Sequence, residues 1–189
     1  MARGEKMLEV KMSRYTHFYQ SPMGRIMLGS DGESLIGTWF ETKRYFDDKQ
    51  WADSKERMLP VFEQTVRWLD CYFEGKDPGF MPPVRLVGTP FRVAVWKILK
   101  TIPYGTTVTY NDIAREIARQ RNIPKMAAQA VGGAVGHNPV SIIVPCHRVV
   151  GANGSLTGYG GGIQLKVKLL SLEGVDMKKL FVPTRGTAL

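Results

Sequence analysis

Cysteine and histidine are scarce in this sequence, with two and three residues among 189. So few thiols exclude a disulfide-stapled fold. No Cys/His cluster has zinc-ligand spacing, so no metal is expected. No run of about 18 apolar residues occurs, which excludes a membrane-spanning helix from the expectations. The N-terminal MARGEKMLEVKM alternates charge with single apolar residues and lacks the apolar core of a secretory signal. The expected compartment is the cytoplasm, or the nucleus in a eukaryote, where Cys71 and Cys146 stay reduced. Acidic residues are sparse in one half: residues 89–174 hold three Asp/Glu against ten Lys/Arg, whereas residues 1–88 hold thirteen of each. The net charge of +9 is therefore concentrated in the second half. A polyanionic partner, nucleic acid first, fits that asymmetry. A merely solvated basic surface fits it as well.

The hydrophobic set makes up 43% of the chain, enough for one or two compact domains. YTHFYQ, RIMLGS and SLIGTWF read as three short strands, joined at Pro-Met-Gly and Asp-Gly turns. PVFEQTVRWLDCYFEGK follows as a helix, with Phe62, Val66, Leu69 and Phe73 on its apolar stripe and Gly75 as its stop. Cys71 lies just off the stripe and reads as a packing residue. DPGFMPPVRLVG reads as a linker. No residue set in this half suggests chemistry. Three units are expected: a support domain over 1–86, a second domain over 87–175 and a flexible basic tail over 176–189.

The second half opens with a helix capped by Thr89, with Pro90 at its first position and Phe91, Val95, Ile98 and Leu99 as its stripe. Thr109 and Asp112 have capping-box spacing ahead of a second helix bearing Ile113, Ala114 and Ile117. After RNIPK, a third helix, MAAQAVGGAVG, has a face of small residues. The pair forms a helix-turn-helix pattern, which binds DNA in some folds and nothing in others. VSIIV, at 140–144, is β-branched and reads as a buried strand ending at Pro145. GANGSLTGYGGG is a loop with six glycines, suited to close backbone approach to a ligand. A last helix puts Ile163, Val167 and Leu170 on one face and ends at Gly174.

The chemistry concentrates at VPCHRVV, residues 144–150. A thiol turns nucleophilic beside an imidazole or a cation. In an extended segment Cys146 and His147 would point to opposite faces, so a working pair needs a turn at Pro145 or a bridging water. The alternative is a buried thiol beside a core histidine. Glu173 shifts the balance. A carboxylate at a helix C-terminus opposes the helix dipole, and a local rule broken without local gain points to a distant partner. A histidine is a natural one, which gives a candidate Cys146–His147–Glu173 relay.

With those residues in view, the sequence resembles the O6-alkylguanine-DNA alkyltransferases, also called methylated-DNA–protein-cysteine methyltransferases. Five segments carry the resemblance, in the family's order, across 88–174: GTPFRVAVW, PYGTTVTYNDIA, AVGGAVGHNPVSIIVPCHRVV, GYGGG and LLSLEG. The first half is similar to the family only in outline. The resemblance implies an α+β fold: a ribonuclease H-like sheet-plus-helix domain, then a mainly helical domain with a winged helix-turn-helix. It implies binding to duplex DNA, flipping of the damaged nucleotide, and irreversible transfer of an alkyl group from O6-alkylguanine, and from O4-alkylthymine, to Cys146. His147 would act as the base through a water and Glu173 would orient it. Tyr110 would help protonate the leaving guanine, and Asn138 would serve as a hinge. Val149, Tyr159, Gly160 and Lys166 would line the pocket. Tyr110, Arg92, Ala128, Gln129 and Ala130 would meet DNA. The thioether is stable, so each molecule reacts once, without a cofactor. A monomer is expected, with cooperative loading on DNA left open.

One departure stands out. The family's A-R-A-V-G reads Ala128-Gln129-Ala130-Val131-Gly132 here, so a shorter, uncharged side chain holds the position that fills the flipped base's gap. Gly160 replaces a side chain found in some relatives, which implies a wider pocket. Two rival functions remain: a DNA-binding module without chemistry, against which Cys146 speaks, and a cysteine hydrolase, which leaves the basic helix-turn-helix unexplained.

Overall fold

The structure, a computed structural model, describes residues 13–41 and 51–184. Three of its strands form a meander: β1 (Tyr15–Ser21), β2 (Gly24–Ser30) and β3 (Leu35–Phe40). β1 and β2 are antiparallel and close on Ser21 opposite Gly24, so Pro22 and Met23 make the turn the sequence signalled. A short β4 (Lys55–Glu56) joins β1 in parallel, giving the order β3-β2-β1-β4. Helix α1 (Pro60–Phe73) packs on this sheet. Its buried face is Val61, Phe62, Thr65, Trp68, Leu69 and Tyr72. Val66 and Phe73, expected on the stripe, are only partly buried, so the inward face is rotated by about a residue.

The second half holds α2 (Pro90–Leu99), α3 (Tyr110–Gln120), α4 (Ala128–Gly136) and α5 (Ile163–Leu172). Their starts follow local chemistry. The Thr89 hydroxyl accepts from Arg92 N–H, with Pro90 at the first position of α2. The capping box of Thr109 and Asp112 forms in both directions at α3. Trp96 of α2 donates its indole N–H to the Ala134 carbonyl at 2.8 Å, fastening α2 to α4. Ile163, Val167 and Leu170 share one cluster, as their spacing predicts.

Three expectations change. VSIIV is buried but is not a strand. Val140 makes a single bridge to Thr38, and a tight turn follows in which Ile142 takes φ +70. That angle is rare for a β-branched residue and costs roughly 1–2 kcal/mol. The run meets its polar needs otherwise, through Val144 N–H to Val140 O, Cys146 N–H to Val144 O, and the side chain of Asn138. The linker is also anchored: Leu35 N–H donates to Pro83 O and Arg85 N–H to Leu35 O. The tail is not loose where it begins. Met177–Lys179 form a 3-10 turn, and Phe181 pairs with the loop at Ser155 and Leu156. Residues 185–189 lie outside the described residues.

One apolar core runs through both halves, from Ile26 and Leu28 of the sheet to Val140, Ile143 and Cys146. The site grows on that seam.

Candidate active site around Cys146

Residues Cys146–Arg148 form a single 3-10 turn directly after Pro145. Short strands β5 (Val108–Thr109) and β6 (Val149–Val150) pair in parallel just beyond it. The turn supplies the bend at Pro145 that an extended reading lacked. All three residues are buried.

Asn138 sits behind the thiol. Its Oδ1 accepts Val140 N–H at 3.1 Å, and since a backbone N–H only donates, the amide's orientation is fixed. Nδ2 then faces the Val144 carbonyl at 2.7 Å and Cys146 Sγ at 3.1 Å. A donor on sulfur strengthens as negative charge builds there.

His147 is fully buried, and its Nε2 lies 2.6 Å from Glu173 Oε1. A carboxylate only accepts, so Nε2 carries the proton and Nδ1 keeps its lone pair. Nδ1 has no hydrogen-bond partner among the described residues. Burial holds the imidazole below its ordinary pKa, against the opposing pull of Glu173. It is therefore a neutral base at neutral pH.

Glu173 caps the C-terminus of α5, where the helix dipole disfavours it. Its partners explain its presence. Oε1 accepts from Tyr72 OH at 2.7 Å, His147 Nε2 and Arg148 Nη2 at 3.0 Å. Oε2 accepts from Arg148 Nε at 2.8 Å and from Gly105 N–H at 3.2 Å. Gly105, at φ +71, lets the chain pass where an added Cβ would lie 2.9 Å from the Glu173 carbonyl. Burial pushes this carboxyl up, but donation from His147 and Arg148 more than reverses that and brings it to about 2. It is a fixed anion, able to orient His147 and unable to take its proton.

The rest of the expected pocket gathers nearby. Lys166 is fully buried and donates to Val149 O at 2.6 Å and Thr157 O at 2.8 Å. Burial lowers its pKa to about 8. Tyr110 donates to the same Thr157 carbonyl at 3.1 Å, and burial with the nearby thiol raises it to about 12. Tyr159 is buried edge-on to His147, their rings 6.4 Å apart, and Gly160 beside it is half-buried. Gln129 and Ala130 are exposed on the first turn of α4, and Ala128 is partly so. Arg92, in the first turn of α2, is half-buried and apart from this cluster. Cys71 is a free, partly buried thiol on α1.

Two partners escaped the sequence reading. Arg148 pairs with Glu173 instead of acting on the thiol. Tyr72 comes from the half in which no chemistry was expected. Its signal was present: a tyrosine on a buried helical face needs a partner for its hydroxyl.

Two family descriptions match the chain. One is the 6-O-methylguanine DNA methyltransferase, ribonuclease-like domain, over residues 14–86. The other is the DNA binding domain of the same family, over residues 90–175. The chain belongs to the 6-O-methylguanine DNA methyltransferase family. The methylated-DNA–protein-cysteine methyltransferase of Haemophilus influenzae is 43% identical over 162 residues, 85% of this chain and 87% of that one. The inducible methylated-DNA–protein-cysteine methyltransferase of Bacillus subtilis is 40% identical over 160 residues, 85% of this chain and 84% of that one. The crystal structure of Mycobacterium tuberculosis OGT in complex with DNA matches with a TM-score of 0.73 at 40% identity, covering 88% of this chain and 94% of that one. The α+β class and the ribonuclease-like first domain expected from the sequence agree with these matches. The basic half of this methyltransferase-family chain is thus its DNA-binding domain. Among the described residues no helix is long and apolar enough to cross a membrane.

Proposed function

We propose that this protein repairs DNA by moving an alkyl group from O6 of guanine to Cys146, once per molecule. One observation carries the reading most. A buried histidine with its tautomer set by Glu173 presents a free Nδ1 in the same turn as a cysteine whose sulfur receives a side-chain N–H. The Cys146 proton passes through a water to His147 Nδ1. The sulfur then attacks the alkyl carbon, the carbon–O6 bond breaks, and its electron pair stays with guanine. Tyr110 supplies a proton to the departing base. The product thioether has no route back, so the protein is consumed. Acceptor and nucleophile are one atom, so the transfer needs no cofactor.

The target atom is out of reach within a stacked duplex, so the nucleotide must be flipped. The α3–α4 unit meets the duplex as a monomer, with Ala128 and Ala130 allowing close approach and Gln129 entering the vacated stack. Val149, Tyr159, Gly160 and Lys166 shape the pocket, and Arg92 adds a phosphate contact from α2. O4-alkylthymine is a second substrate of the same pocket. The cytoplasm, or the nucleus of a eukaryote, is where the protein meets its substrate.

The test is a stoichiometric reaction with a duplex carrying O6-methylguanine, followed by intact mass and peptide mapping. One CH2 added per protein, on Cys146, is expected. A protein that binds the duplex and stays unmodified is a binding module, and repeated turnover identifies a hydrolase.

A further inference from the structure

The relay as proposed lies wholly in the DNA-binding half, yet its carboxylate is held from the other half as well. Tyr72 is fully buried on α1. Its ring stacks on Trp68 at 5.1 Å and meets Phe73, Tyr104 and His147 edge-on. Its hydroxyl reaches across the seam to Glu173 Oε1 at 2.7 Å and lies 3.3 Å from His147 Nε2. Because the carboxylate can only accept, the phenol donates to it. Burial, then the charge of Glu173, keep the phenol protonated far above neutral pH.

We propose that Tyr72 is a positioning residue of the alkyl transfer: by donating to Glu173 Oε1 it sets how strongly that oxygen holds His147, and so how readily His147 stays unprotonated as the base. The proposal rests on the function above. It gives the ribonuclease-like half a part in the chemistry beyond support.

Oε1 is shared. His147 Nε2–H and the Tyr72 hydroxyl draw on the same lone pairs, with Arg148 Nη2 beside them. A neutral donor that takes part of that electron density leaves less of it to stabilise a positive imidazolium. The other charged or titratable groups facing His147 are Arg148 and Lys166, which both oppose its protonation, and Cys146 and Tyr159. None of these is removed when the phenol oxygen is. The weaker approach of the Tyr72 oxygen to Nε2, at 3.3 Å, gives that N–H a second acceptor and favours the same tautomer. Tyr72 therefore holds His147 neutral to lower pH than Glu173 alone would allow.

The test is Tyr72→Phe in the full chain, with Trp68→Phe as the control that disturbs the ring stack but keeps the hydroxyl. Two readouts are taken from pH 5 to 9: the single-turnover methyl-transfer rate on an O6-methylguanine duplex, and the NMR titration of the His147 imidazole. Losing one donor to a carboxylate should raise the His147 midpoint by roughly half a unit to one unit. The acid limb of the rate profile should move up with it, slowing transfer about 3–10-fold on that limb and leaving the alkaline plateau in place. A His147 titration unchanged in Tyr72→Phe overturns the proposal, as does an equal shift in Trp68→Phe. A wild-type protein that forms no adduct overturns the proposed function instead, and the NMR arm still decides whether Tyr72 tunes His147.

Discussion

Replacing Glu173 by Gln keeps the shape of the side chain and removes its charge, which makes it the sharpest probe of the buried node. The carboxyl is brought from an ordinary 4.5 down to about 2. Part of that depression is attraction to a protonated His147, so at 1.36 kcal/mol per unit it sets a ceiling of roughly 3 kcal/mol at neutral pH, where His147 is neutral. A second route gives a similar size. Arg148 is buried and has Glu173 as its acidic partner through Nε and Nη2, and stranding a buried charge costs about 3–5 kcal/mol. The sign follows from the depressed value. The contribution is complete above the unfolded pKa and drains away as pH falls through the folded one. Urea unfolding of both proteins at pH 7, 5, 4 and 3 measures it. At pH 7 Glu173→Gln should be less stable by roughly 3–5 kcal/mol with the same urea slope, and the gap should shrink below about pH 4.5. A loss under about 1 kcal/mol at pH 7, or a gap that stays constant to pH 3, refutes the view of Glu173 as a fixed anion anchoring Arg148 and His147.

Restoring an arginine tests the DNA face. Gln129→Arg should bind duplex DNA more tightly and raise the repair rate on duplex, with the rate on a free-base analogue unchanged; two flat rates would falsify a role for this position in the vacated stack. Asn138→Ala strands the buried Val140 N–H, takes one of two donors from the Val144 carbonyl, which keeps Cys146 N–H, and removes the donor on sulfur. It should cost about 1–3 kcal/mol in thermal or urea unfolding, the penalty of one unsatisfied buried donor. Its single-turnover methyl transfer should also slow at least about tenfold, the size expected when one charge-assisted hydrogen bond of about 1.4 kcal/mol or more is lost.

Local chemistry was legible. The capping box at Thr109, Pro90 at a helix start and the Ser21–Gly24 hairpin follow from interactions within a few residues. Glu173 was legible for another reason: it broke a local rule, and the structure shows what it gains, a histidine and an arginine. VSIIV was misread because its β-branched residues report burial, and burial alone does not select a strand. The deciding groups, Asn138 and Thr38, lie outside the run. Tyr72 was missed because its partner is 101 residues away, and helical spacing marks only which face is inward. The shift of the α1 face has the same root: Tyr72 faces Tyr104, His147 and Glu173 of the second half, and Trp68 stacks on Tyr72.

β3 is an edge strand of its sheet, yet its free side is occupied at Leu35 and Thr38. Leu35 pairs with the linker at Pro83 and Arg85, while Thr38 bonds Pro139 O, Ser141 N–H and Ser141 O, just ahead of the thiol. A ribosome makes β3 about a hundred residues before it makes Pro139. The sheet can therefore stand ready as a template on which the reactive turn is cast when it emerges, and the turn's unfavourable Ile142 angle need never form without support. Once made, the same pairing closes a border that would otherwise invite strands from other chains. The half without the reactive thiol thus holds, through β3, the backbone just ahead of the turn that carries it.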